Sequence, residues 1–137
     1  MLLSLRENQL LEVSDEVVKC STPLGAGLGY SQNMCGALIT AVLALGVKYG
    51  RTNLEISRRP SWSRGYRLVE CFKKRFQTVS CAELTTEFKD FCSPGRISHC
   101  MGIIDFATQE AANFLSDRDE SYPDPDKEEY FARREKK

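Results

Sequence analysis

The chain has 137 residues, 42% hydrophobic and 28% charged, the proportions of one ordinary domain with its own core rather than of a multidomain enzyme. Nineteen basic residues balance nineteen acidic ones, so there is no global electrostatic footprint for nucleic acid or for an anionic membrane. Six cysteines stand against one histidine and one tryptophan, which points any chemistry toward sulfur.

Leu2, Leu3, Leu5 and Leu10 give the opening segment helical apolar spacing, with no Ser, Thr, Asp or Asn ahead of them to cap the first amides. Beginning in mid-pattern, Met1 reads as a shortened helix start. No basic region precedes this run and Arg6-Glu7 cut it short, so it does not read as a secretion signal. The expected setting is cytoplasmic, where cysteines serve as metal ligands, redox groups or core residues. Ser14 followed by Asp15 and Glu16 predicts a capped helix ending near Pro23. Leu24 to Tyr30 carries glycine at 25, 27 and 29, too flexible for an element interior. It predicts a loop whose use is to let backbone come close to a sulfur site or a neighbouring helix.

Met34 to Gly50 is the strongest predicted helix, with Leu38, Ala41, Val42, Leu45 and Tyr49 on one stripe and Gly50 at its end. Its apolar part, Met34 to Val47, is fourteen residues, short of the roughly 18 to 20 that a membrane span requires. After a polar connection, Ser61 or Ser63 caps a predicted helix running to about Phe76, with Leu68, Phe72 and Phe76 every fourth residue. Ser80-Cys81-Ala82-Glu83 matches a capping box and starts a short helix through Phe88. Pro94-Gly95 reads as a turn, and Ile97, Met101, Ile104, Ala111 and Leu115 predict a last helix from about Ser98 to Leu115. No segment alternates with period two. The expectation is an all-α protein: a compact helical bundle of about five helices over residues 1–116, followed by a disordered charged tail over 117–137. Seven acids and two bases between Asp117 and Glu129, with Pro123 and Pro125, cannot bury enough apolar surface to offset chain entropy.

The cysteines lie at 20, 35, 71, 81, 92 and 100, with no C-x-x-C pair, which disfavours a thioredoxin-type motif, a zinc ribbon and a c-type haem attachment. Their placement against the helix starts is more informative. With Asn33, Ser80 and Ser98 as caps, Cys35, Cys81 and Cys100 fall in first helical turns, where free amides and the dipole favour thiolate. Cys92 precedes the Ser93-Pro94-Gly95 turn, whose amides could also face a sulfur. Cys71 reads as core, and Cys20 stays unassigned. Two chemistries follow. Cys35 with Cys81, Cys92 or Cys100 cycles between dithiol and disulfide, or four thiolates hold an iron-sulfur cluster or zinc. Packed, inert cysteines in a non-catalytic helical interaction module are the rival reading.

The run Leu24 to Gly29, followed by Cys35-Gly36-Ala37 and Ala44 to Gly50, resembles the C-GCAxxG-C-C family of putative redox-active proteins. Phe76 with Cys81-Ala82-Glu83-Leu84, and Cys100 near a helix start, resemble the family's later cysteine blocks. The resemblance implies Cys35, Cys81, Cys92 and Cys100 as the working set in a helical domain. Its motif wants glycine where this chain has Thr40, and it carries a further cysteine in a helix upstream of Met1.

Gly27, Gly29 and Gly36 are the positions where backbone would approach a bound group, although no G-x-G-x-x-G fingerprint for a dinucleotide follows a strand here. His99, beside Cys100, reads as a solvated helix-start residue rather than a base or ligand. Nine bases and four acids between residues 51 and 89, with Arg58, Arg59, Arg64 and Arg67 around Trp62, read as a solvated face neutralised by the acidic tail. The expected partner is a redox protein of unknown identity, with a homodimer allowed and neither nucleic acid nor a membrane span involved.

Overall fold

A computed structural model of the chain describes residues 1–116; the expected charged tail lies outside the described residues. All the regular structure within them is helical. In chain order come α1 (Leu2–Glu7), α2 (Asp15–Ser21), a 3-10 turn (Thr22–Leu24), a left-handed turn (Gly25–Leu28), α3 (Gly36–Tyr49), α4 (Arg59–Phe76), α5 (Cys81–Leu84) and α6 (Pro94–Ser116). Ser14 caps α2 by accepting from the Val17 amide at 3.5 Å, and Ser80 caps α5 by accepting from the Glu83 amide at 3.3 Å, as the S-x-x-E pattern predicts.

Three starts and one end differ from the sequence reading, and each has a local cause. α6 begins at Pro94, four residues before Ser98, because Ser93 accepts from the Arg96 amide at 3.3 Å. Proline, with φ preset and no N–H to leave unpaired, suits the position after that cap. α4 likewise begins at Arg59 with Pro60 in its first positions, so Ser61 and Ser63 lie inside the helix. Cys35 itself, with extended ψ of 124°, occupies the cap position of α3 in place of Asn33. α5 stops at Leu84 instead of reaching Phe88, and Thr85 turns back to donate to the Cys81 carbonyl at 2.8 Å.

The core is built by α3, α4 and α6. Leu38, Ala41, Ala44 and Leu45 of α3 meet Leu68 and Phe72 of α4 and Ile103, Ala107, Ala111 and Leu115 of α6, all buried. Alanines on the facing stripes let the axes approach, and Phe72 fills the remaining space with Phe76 and Phe106 at centroid distances of 4.7 and 6.3 Å. α3 and α6 run in the same sense. Their C-terminal ends are joined by Lys48 Nζ donating to the Leu115 carbonyl at 2.6 Å and by the Tyr49 hydroxyl donating to the Phe114 carbonyl at 3.1 Å. These donors satisfy carbonyls that the end of α6 leaves without helical partners. α4 runs the opposite way. Arg64, near its start, stacks over the Tyr49 ring at 4.0 Å, and Phe76, at its end, packs edge-on to Phe106 at 5.2 Å. Arg64 is therefore buried and not part of a solvated arginine face, whereas Arg58 stacks on exposed Trp62 at 4.1 Å. Because α4 returns toward the start of α3, the chain after it is delivered to Cys35.

A cysteine-lined cleft

Residues 32–35 and 79–82 meet in a short antiparallel contact. Met34 sits opposite Ser80, the Cys35 amide donates to the Val79 carbonyl at 2.8 Å, and the Cys81 amide donates to the Asn33 carbonyl at 2.6 Å. Alternation of side chains across extended backbone then puts Cys35 and Cys81 on the same face, as diagonal neighbours. Such neighbours lie roughly 7 to 8 Å apart, at or just past the separation of about 7 Å between Cα atoms beyond which closing a disulfide requires the backbone to move. Both thiols are buried, and both line a cleft of about 600 Å³ whose opposite wall is the Arg96, Cys100, Ile103 and Ile104 face of α6.

The glycine loop closes the same cleft. Ala26, Gly27, Leu28, Gly29 and Tyr30 all have φ between 53° and 73°, a run of left-handed residues that turns the chain inside a few ångströms. For the three with side chains this costs on the order of 1 kcal/mol each. Gly25, Ala26 and Gly27 carbonyls accept from the amides of Gly29, Gln32 and Asn33 at 3.0, 3.2 and 3.1 Å, which holds the turn against that cost. Two glycines are required by contact. A Cβ on Gly27 would lie 2.7 Å from the Cys81 Cβ, and one on Gly36 would lie 2.1 Å from the Leu24 carbonyl oxygen. The loop thus brings backbone against the Cys81 side chain and against the start of α3. Gly29 supplies only its φ of 60°, with nothing closer than 3.8 Å.

Of the cysteines singled out by sequence, Cys35, Cys81 and Cys100 share the cleft. Cys92 does not line it; it is exposed, with its amide donating to Asp90 Oδ1 at 2.9 Å. Cys20 is exposed on α2, and half-buried Cys71 borders the core on α4. Cys100 lies in the second turn of α6, not at its start, since that helix begins at Pro94. His99 is not solvated as expected. Its Nε2 bonds the Leu84 carbonyl at 2.8 Å and its ring packs 5.3 Å from Phe88; since a carbonyl only accepts, Nε2 carries the proton, and the ring ties α6 to the end of α5.

The electrostatics of Cys35 also depart from the helix-start argument. Burial pushes its thiol above the ordinary range, opposed by the Leu38 and Ala37 amides at the start of α3, with nearby Cys81 and Cys100 adding to the rise. Desolvation outweighs the amides because the sulfur is in an apolar recess. Cys71 is raised as well, first by burial and then by Glu110. A thiol with a raised folded pKa contributes stability that is complete below the unfolded value of about 8.5 and is lost as pH climbs through the folded value. Urea midpoints measured between about pH 7 and pH 10 should therefore fall less steeply for Cys35→Ala than for the parent. Parallel pH profiles would show that Cys35 is not desolvated.

Sequence reasoning overlooked Arg96 and Phe91. Arg96 is only 6% exposed although charged, and its guanidinium lies 3.9 Å over the Phe91 ring, which stacks in turn on Tyr30 at 4.5 Å. The signal was present in Ser93-Pro94 as a helix start, since a helix from Pro94 puts Arg96 and Cys100 four apart on one face.

Among the described residues, no three His, Cys, Asp or Glu side chains are grouped to hold a metal ion. Neither the four thiolates expected for an iron-sulfur cluster or zinc nor any three of them are gathered in this arrangement. Residues 1–114 match the family described as putative redox-active protein (C_GCAxxG_C_C). The chain belongs to that family. No curated protein and no solved structure matches it. In this C_GCAxxG_C_C protein, Thr40 stands where the motif wants glycine; its hydroxyl donates to the Gly36 carbonyl at 2.8 Å and its side chain lines the cleft. No helix among the described residues is long and apolar enough to cross a membrane.

Proposed function

We propose that this protein exchanges electrons through a dithiol–disulfide couple formed among Cys35, Cys81 and Cys100. The observation that carries the reading is the antiparallel contact at Met34 and Ser80, which sets Cys35 and Cys81 on one face of one cleft, with Cys100 across it. The family description supports redox work without saying by which chemistry. Buried thiols that share a recess oxidise to each other more readily than to solvent species, because the partner is held near at no further entropic cost. Cys100 is the least buried of the three and is the thiol an outside disulfide meets first. Cys35, held as thiol by burial, resolves rather than initiates. Electrons pass in turn to a redox partner in a reducing, cytoplasmic setting.

Equilibration in glutathione buffers, followed by alkylation and intact mass measurement, tests this. One two-thiol transition is expected in the parent. It should survive Cys20→Ser and Cys92→Ser, and be lost or shifted by at least about 30 mV, the equivalent of tenfold in the equilibrium, in Cys35→Ser and Cys81→Ser. Six freely alkylated thiols at every poise would reject the reading.

A further inference from the structure

Arg96 is a buried charge that the thiol chemistry above does not use. Its side chain is more than nine-tenths buried and lines the cysteine cleft. The guanidinium stacks on Phe91, and among the described residues it makes no hydrogen bond or ion pair. Arginine cannot shed its proton to escape the cost of burial, and a buried charge is ordinarily paired. Ring stacking satisfies the face of the guanidinium and leaves its N–H edge at the cleft, with no protein acceptor among the described residues. That edge is a fork suited to the two oxygens of a carboxylate.

The position of Arg96 relative to sulfur narrows the ligand. Arg96 and Cys100 are four residues apart on α6, so their Cβ atoms lie about 5 to 6 Å from each other on one face. The rest of the lining is largely apolar, with Ile97, Met101, Ile104 and Leu3 at and inside the mouth. A cleft with a cationic fork, an apolar floor and a thiol one helical turn away fits an organic disulfide that bears a carboxylate a few bonds from its sulfur.

We infer that Arg96 anchors the carboxylate of such an organic disulfide, so that one of its sulfurs rests against Cys100. The inference rests on the dithiol reading above. The Cys100 thiolate attacks the near sulfur, the substrate S–S bond breaks, and one half leaves as thiolate and takes up the proton from Cys100. A second cleft thiol, Cys35 or Cys81, attacks the resulting mixed disulfide. This forms the internal disulfide and releases the other half as thiol with the second proton. Two protein thiols are oxidised and one substrate disulfide is reduced to two thiols.

The test uses full-length protein carrying Cys20→Ser and Cys92→Ser, with the anionic 5,5′-dithiobis(2-nitrobenzoate) and the neutral 4,4′-dithiodipyridine as probes. Arg96→Gln should slow Cys100 with the anionic probe by about tenfold or more and leave the neutral probe within about twofold, since one charge-assisted bidentate contact is lost. Equal slowing with both probes, or with neither, overturns the anchor. In case Arg96→Gln fails to fold, benzoate is added to the arginine-containing protein. It should protect Cys100 from the neutral probe where benzamide does not, and equal protection by the two overturns the inference. Failure of the dithiol reading looks different. A mixed disulfide on Cys100 would then persist, and no second thiol would be released with either probe, whatever the effect of benzoate.

Discussion

Gly36→Ala is expected to destabilise the domain by about 3 kcal/mol, although alanine is the better helix former. Gly36 is the first residue of α3. Propensity alone would credit the substitution with up to about 1 kcal/mol of added stability. Contact reverses the sign. The new Cβ would meet the Leu24 carbonyl oxygen at 2.1 Å, its carbon at 2.9 Å and the Gly25 Cα at 3.2 Å. All three are backbone, so no rotamer change relieves them; either α3 or the left-handed turn must move, and overpacking of this kind costs about 1 to 3 kcal/mol or more. The turn is the element that yields, because it already holds Ala26, Leu28 and Tyr30 at positive φ. With it moves the backbone packed on Cys81, so the cleft thiols should lose their shared transition in glutathione buffers while far-ultraviolet circular dichroism still reports the helices. Urea unfolding supplies the stability figure. A variant as stable as the parent would mean that the glycine loop does not rest on α3.

The helices of the core were legible because their signal is periodic: Leu38, Ala41 and Leu45, then Leu68 and Phe72, recur at the spacing that buries one face. The starts of α4 and α6 were not, although Ser57 accepts from the Arg59 amide at 3.2 Å and Ser93 from the Arg96 amide at 3.3 Å. A serine followed within a few residues by proline reads equally as a turn and as a capped helix with proline in its first turn, and only packing decides between them. That ambiguity displaced Cys100 by a turn and concealed Arg96. The cleft was half legible. Glycines at alternating positions beside Cys35-Gly36 signalled close backbone approach, but no local pattern could say that the chain after α4 returns to pair with residues 32–35. The contact is set by α4 running antiparallel to α3, a tertiary fact. The pKa of Cys35 failed for the same reason: a helix start argues downward, and the apolar recess that reverses it is assembled from α1, the glycine turn and α6.

Phe72→Ala should lower stability by about 4 kcal/mol, the upper part of the range for emptying a well-packed aromatic site. Phe72 has no exposed surface and packs against Phe76 and Phe106, and none of these three rings lines the cleft. The neighbours cannot collapse into the space. Phe76 is held edge-on to Phe106 at 5.2 Å, and the stripe of α6 facing this region includes Ala107 and Ala111, which have no side-chain length to extend. In a domain of this size the loss corresponds to a fall in Tm of about 15 °C, against a total stability of only about 5 to 15 kcal/mol. Phe72→Leu, which keeps most of the volume, should cost about 1.5 kcal/mol or less. The thiol readout separates this substitution from Gly36→Ala. At a temperature where Phe72→Ala remains folded, its cysteines should oxidise as in the parent, because what is lost is cohesion of α3, α4 and α6 and not the juxtaposition of Cys35, Cys81 and Cys100. Loss of the redox transition in folded Phe72→Ala would show that the cleft geometry depends on this ring. A cost below about 1 kcal/mol would show that the three helices do not pack around this ring.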